Sequence, residues 1–152
     1  MKHKILATLL CTCAGLSALP AAAQFQKPED AIRYRQAAMT LMGAHFGRIA
    51  AMAQGKAPWD AQAAAANMRV LDTVHKLPFT AFGPGTDKGA KTRALPEVWS
   101  KSADFKRHAD KLDEAIGPLD AAVKSGSLDE VKTAAGPVGK ACKGCHDDFQ
   151  SK

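Results

Sequence analysis

SLDEVKTAAGPVGKACKGCHDDFQ, residues 127–150, is the stretch whose reading decides the fold. Ser127 followed three residues later by Glu130 forms a capping box, in which each side chain serves the other's free backbone N–H at a helix start. Leu128, Val131, Ala135 and Val138 then recur at intervals of three and four, the apolar stripe of an amphipathic helix. Gly136-Pro137 predicts a kink, because proline removes a hydrogen bond and crowds the preceding turn. The final turns carry Cys142-Lys143-Gly144-Cys145-His146. On a helix, residues three and four apart share a face, so both sulfurs and the neighbouring imidazole address one side.

That spacing, C-x-x-C-H, attaches c-type haem: two thiols meet two vinyl groups while the adjacent histidine reaches the iron. From average residue frequencies, its chance occurrence in a chain of 152 residues is on the order of one in a thousand. The competing readings are a redox dithiol, a disulfide and half of a zinc site. A thioredoxin-like dithiol wants a βαβ neighbourhood, and zinc wants a second cysteine pair; the sequence offers neither. The motif therefore assigns one covalently bound haem c per chain, held by Cys142 and Cys145, with His146 as an axial iron ligand.

At the other end, Met1-Lys2-His3-Lys4, the apolar run Ile5 to Leu19 and Ala21-Ala22-Ala23 read as the basic region, apolar region and cleavage site of an export leader. Residues 1–23 are expected to be cleaved, leaving a single haem-binding domain over 24–152. The run is short for a bilayer span and is followed by Pro20, so stable membrane insertion is not expected. Cys11 and Cys13 leave with the leader, as do Lys2 and Lys4, which takes the formal charge from +6 to +4. Lys101, Lys106, Arg107 and Lys111 are interleaved with Asp104, Asp110, Asp113 and Glu114, a solvated helix face and no nucleic-acid groove.

Three further helices precede the one that carries the motif. The first runs from Pro28, with Glu29 and Asp30 complementing its dipole, to about Gln54; Ala31, Tyr34, Ala38, Leu41, His45, Ile49 and Met52 form its apolar row. The second is capped by Asp60, carries Met68, Leu71, Val74 and Leu77, and is expected to end at Pro78. Residues 79–96 have no apolar period and read as an ordered loop. The third helix starts at Ser100 or Ser102, runs through Phe105, Leu112, Ile116 and Leu119, and stops at Ser125-Gly126, with a second kink expected at Gly117-Pro118. No stretch reads as a strand. The fold class is all-α: an antiparallel four-helix bundle with one long loop between helices two and three.

With its haem motif at the C-terminal end, the chain resembles cytochrome c′, the class II c-type cytochromes. The likeness spans the mature chain: Gln24-Phe25, Lys27-Pro28-Glu29-Asp30-Ala31, Tyr34-Arg35-Gln36, Phe82-Gly83-Pro84-Gly85-Thr86, Pro96-Glu97-Val98-Trp99 and Cys142-Lys143-Gly144-Cys145-His146-Asp147. The resemblance implies a periplasmic protein, homodimeric through its first two helices. It implies high-spin five-coordinate iron that binds nitric oxide and carbon monoxide, and it implies electron transfer with an unidentified periplasmic partner. No enzyme activity is implied.

The same resemblance puts Met39 at the distal haem face and Arg35 at a haem propionate. Residues 35, 39 and 42 share a helix face, so Met42 is a further haem contact or ordinary core, and Phe82 packs the haem. Met39 admits two roles. Its side chain shields the iron, or its sulfur is a second axial ligand, as in the low-spin class II cytochromes that resemble cytochrome c556 and act purely as electron carriers. The pattern departs from the family at Gln150, where a basic residue often stands four positions after the haem histidine. That leaves proximal nitric oxide chemistry in doubt. His45, His75 and His108 lack partners at metal-ligand spacing.

Overall fold

A computed structural model describes residues 25–152; the leader read over 1–23, with Cys11 and Cys13, lies outside the described residues. α1 is Pro28–Ala53, with Pro28 in its first turn and Glu29 and Asp30 beside the free N–H groups. It closes through Gln54 into Gly55, whose φ of 69° is the left-handed conformation that glycine adopts without strain. α2 is Ala61–Val74, and Asp60 caps it as expected: its Oδ1 accepts the Ala63 N–H at 2.9 Å.

α2 ends four residues before Pro78. His75 takes the cap position, with its Nδ1 2.7 Å from the Asp72 carbonyl, and Pro78 instead opens a 3-10 turn over Leu77–Ala81. That turn occupies the first residues of the stretch read as loop. A single helical turn, α3 (Glu97–Ser100), precedes α4 (Ser102–Ser125), so the described residues form five α-helices where four were expected. The fifth is one turn long and leaves the bundle class unchanged. Gly126, at φ 74°, terminates α4.

α5 is Leu128–Phe149. Its start corrects the capping box. The Glu130 N–H donates to Ser127 Oγ at 3.4 Å, but the Glu130 carboxylate does not reach back to Ser127; it accepts from Ser125 Oγ at 2.6 Å. Ser125 Oγ accepts the Ser127 N–H at 3.2 Å, completing the cap through one intermediary. Helix continues through both Pro118 and Pro137.

α1 packs on α2 and α5, and α4 packs on α2 and α5, which closes a four-membered ring of helices around one core. Ile49, Met68, Leu71, Ile116, Leu119, Val131 and Val138 fill that core, each at most 2 % exposed. His45 sits at the α1–α2 seam, its Nδ1 donating to Asn67 Oδ1 at 2.9 Å. A second, aromatic cluster of Val98, Phe105 and Phe149, joined by Phe79, Phe82 and Trp99, lies under the long loop. The described residues contain no strand, only an isolated antiparallel bridge between Ala94 and Gln150.

Candidate cofactor site

The two clusters meet at Phe79, which packs against both. Between them lies a cavity of about 480 Å³, large enough for a cofactor. Met42, Leu71, Leu112 and Val138 bring the bundle core to one wall; Val98, Phe105 and Phe149 bring the aromatic cluster to the other. Met39 and Phe82 also line it, as do Cys142, Cys145 and His146. The sequence-predicted residues, scattered from 35 to 146, therefore converge on one space.

Cys142 packs against the bundle core and Cys145 against the aromatic cluster, so the two sulfurs straddle the cavity's division. Both thiols are free and half-buried. Burial pushes the Cys142 thiol up, and it pushes Cys145 to about 11, with the neighbouring Cys142 and Asp148 adding to the rise. A reactive redox dithiol needs the opposite shift, toward thiolate at neutral pH. Among the described residues no group of three His, Cys, Asp or Glu gathers to hold a metal ion by itself. Two neutral thiols facing an apolar space suit covalent attachment of a hydrophobic ring.

His146 projects from the last turns of α5, where the Gln150 N–H donates to its carbonyl at 3.2 Å. Asp147 beside it is held by Lys143 one turn back. Gln150 is half-buried and lines the cavity, and its bridge to Ala94 ties the end of α5 to the long loop. The pairing extends on both sides: Leu95 N–H donates to the Phe149 carbonyl at 3.0 Å and Ser151 N–H to the Arg93 carbonyl at 2.8 Å.

Arg35 is 2 % exposed, unusual for a guanidinium. It donates to the Ala81 carbonyl at 3.0 Å, to Thr86 Oγ1 at 3.1 Å and to Thr92 Oγ1 at 3.2 Å. Its guanidinium carbon lies 4.4 Å from the Phe82 ring centroid and 5.5 Å from that of Trp99. Burial lowers its pKa, opposed by the charge of Asp87. Arg35 thus organises the Gly-Pro-Gly loop besides standing at the cavity rim with Gln36, Thr92 and Arg93. Met42 is both things the sequence allowed, core residue and cavity wall.

Thr92 and His108 were not anticipated here. Thr92 sits in a loop without periodicity, which gives no local signal. His108 was legible in retrospect, since 105, 108 and 112 share one face of α4 and Phe105 and Leu112 both line the cavity. Apolar walls, a polar rim and the thiol–imidazole set together fit a haem.

The cytochrome c′ family profile matches residues 30–150. The chain belongs to the cytochrome c′ family. It is 60% identical over 129 residues to the cytochrome c′ of Rubrivivax gelatinosus, covering 85% of this chain and 100% of the relative. To that of Alcaligenes xylosoxydans xylosoxydans it is 48% identical over 129 residues, covering 85% and 99%. Its fold superposes on the crystal structure of the Rubrivivax gelatinosus protein with a TM-score of 0.82, across 84% of this chain and 100% of the other. It superposes on a nitric oxide complex of a mutant cytochrome c prime from Alcaligenes xylosoxidans with a TM-score of 0.78, at 47% identity and across 85% and 99%. Cytochromes c′ bind haem c covalently, and haem c is the cofactor of this chain. No helix among the described residues is long and apolar enough to cross a membrane.

Proposed function

We propose that the protein is a periplasmic cytochrome c′ that binds nitric oxide and carbon monoxide at five-coordinate high-spin iron and transfers electrons, without acting as an enzyme. The observation that carries this is the convergence of Cys142, Cys145, His146 and Met39 on one cavity, three from α5 and the last from α1. Cys142 and Cys145 would hold the haem by thioethers, and His146 would supply a nitrogen to its iron. When bound, haem iron supplies one-electron chemistry and a coordination position for a diatomic gas.

The chain's own residues set the conditions. Met39 and Met42 present thioethers and methylenes to the cavity, which exclude water without offering a hydrogen bond to a polar ligand. Arg35, already engaged by three acceptors, holds the loop and lines the cavity, and it would be the partner of a haem carboxylate there. Gln150 is neutral, Lys143 is paired with Asp147, and Arg93 donates to the Ser151 carbonyl at 2.6 and 2.9 Å, so no unengaged guanidinium or ammonium from these positions serves the proximal side.

Export follows from the leader read over 1–23, whose removal leaves 24–152. A homodimer through α1 and α2 is supported by Leu41, 45% exposed on α1 amid small residues such as Ala37 and Ala44. The redox partner is a second periplasmic protein.

The position of Met39 in the cavity wall also favours a second reading, in which its sulfur ligates iron and the protein is a low-spin electron carrier. Met39→Leu keeps the bulk and removes the sulfur. Under the first reading the ferrous variant binds carbon monoxide with wild-type affinity. A large gain in affinity shows that the gas was displacing the sulfur.

A further inference from the structure

His108 has no part in the roles assigned above. Its ring belongs to the cavity wall that Cys145 and His146 also line, and its side chain is only 17% exposed. Three contacts join it to the last turns of α5. Nε2 lies 3.1 Å from Asp148 Oδ2. The ring meets Phe149 edge-on, with centroids 5.5 Å apart and planes at 80°. It also lies beside Gly144, where a Cβ would stand in ordinary van der Waals contact with His108 Cε1 at 3.7 Å.

Residues 144, 148 and 149 flank His146 on both sides. A metal-binding imidazole is ordinarily oriented by a hydrogen bond from its second nitrogen. The rings of His45, His75 and His108 have polar partners within the fold, whereas that of His146 has none among the described residues. Asp147, the adjacent carboxylate, is held by Lys143. The orientation of His146 is therefore left to the turn that carries it. The backbone pairing of 93–95 with 149–151 fixes the chain after that turn, and His108 fixes it from α4.

We infer that His108 is a positioning residue for the axial imidazole: by pinning residues 144–149 of α5 to α4, it sets the rotation of His146 over the cavity. This rests on the proposal that His146 ligates haem iron. The sequence signal is specific to one face of α4, where a histidine stands between two apolar wall residues, Phe105 and Leu112.

The test uses the holoprotein as wild type, His108→Ala and His108→Gln. The hyperfine-shifted haem-methyl proton resonances of the ferric protein report the orientation of the axial ring in either coordination state. His108→Ala is expected to change their order and spread, and His108→Gln, which keeps a polar group within reach of Asp148, to change them less. A helix contact with no positioning role lowers the thermal midpoint and leaves the methyl pattern alone; a superimposable pattern in His108→Ala overturns the inference. If that variant does not accumulate, Asp148→Asn and His108→Gln carry the test: a shifted pattern in either supports positioning, and wild-type patterns in both refute it. The underlying reading fails separately. A ferrous wild type without an iron–histidine stretch in its resonance Raman spectrum denies five-coordinate ligation by His146, while the methyl pattern still decides the role of His108.

Discussion

Removing the haem is expected to perturb this fold strongly, because its site is a cavity between the helices. The cavity measures about 480 Å³, and an unfilled apolar void costs roughly 24 cal/mol per Å³. Closed and dry, a void of that size would cost about 12 kcal/mol, which is an upper bound here because water enters past Arg35, Gln36 and Arg93; water entry or collapse over half of it leaves about 6 kcal/mol. A domain of this length is stable by only about 5–15 kcal/mol in all. Collapse is hindered because α1, α4 and α5 each contribute wall residues while the Ala94–Gln150 pairing holds the loop across the end. The Cys142→Ala/Cys145→Ala chain, prepared free of haem, is therefore expected to retain helical far-UV circular dichroism. It should lose the near-UV signal of Trp59 and Trp99 and unfold without a cooperative transition. Scanning calorimetry with near-UV spectroscopy checks this. A single endotherm near the roughly 0.7 kcal/mol per residue of an intact domain would show that the haem-free chain packs without its cofactor.

Two further outcomes follow from side chains outside the thiol motif. Arg35→Met strands the acceptors at Ala81, Thr86 and Thr92 and should destabilise the holoprotein by about 3 kcal/mol, read as a lower urea midpoint with an unchanged slope, with exchange protection lost first over 82–92. Asp113 is held below the usual carboxylate range, first by its hydrogen bond with His75 and then by Lys76. A carboxyl depressed in the folded state contributes stability that is present above its unfolded value and is lost as pH falls through the folded one. Asp113→Asn should therefore flatten the decline of the thermal midpoint below about pH 4 and leave the remainder of that acid limb, which a pH series of melts will show.

Local chemistry made the long helices legible. Pro28, Asp60, Ser127 and Gly126 mark starts and stops by which hydrogen bonds they supply or remove, and those marks held within a residue or two. What failed was decided by partners distant in sequence. α2 ends at Val74 with His75 as its cap, and the His75 side chain reaches Asp113 on α4, 2.9 Å away, a contact no periodicity encodes. The Glu130 carboxylate accepts from Ser125, whose hydroxyl in turn takes the Ser127 N–H, an arrangement set by the end of α4 rather than by the capping pair itself. The one-turn α3 and the turn over Leu77–Ala81 are too short to show an apolar period.

The site divides along the same line. Cys142, Cys145 and His146 are contiguous, so their chemistry can be read from spacing. Met39 and Met42 became candidates through helix geometry and the family likeness, and both line the cavity. The family likeness puts Arg35 at a haem propionate, yet its loop-organising contacts with Ala81, Thr86 and Thr92 depend on how residues 81–92 return to α1. His108 looked like one more polar residue on a charged helix. Only the approach of α4 to the end of α5 gives it neighbours that matter.

The absorption spectrum of the ferric holoprotein, recorded for wild type and Met39→Leu, tests most directly whether Met39 guards the iron or binds it. Guarding predicts high-spin spectra for both, with no methionine-to-iron charge-transfer band in either. A charge-transfer band in the wild type that disappears in Met39→Leu would contradict five-coordinate iron and make this protein a six-coordinate electron carrier.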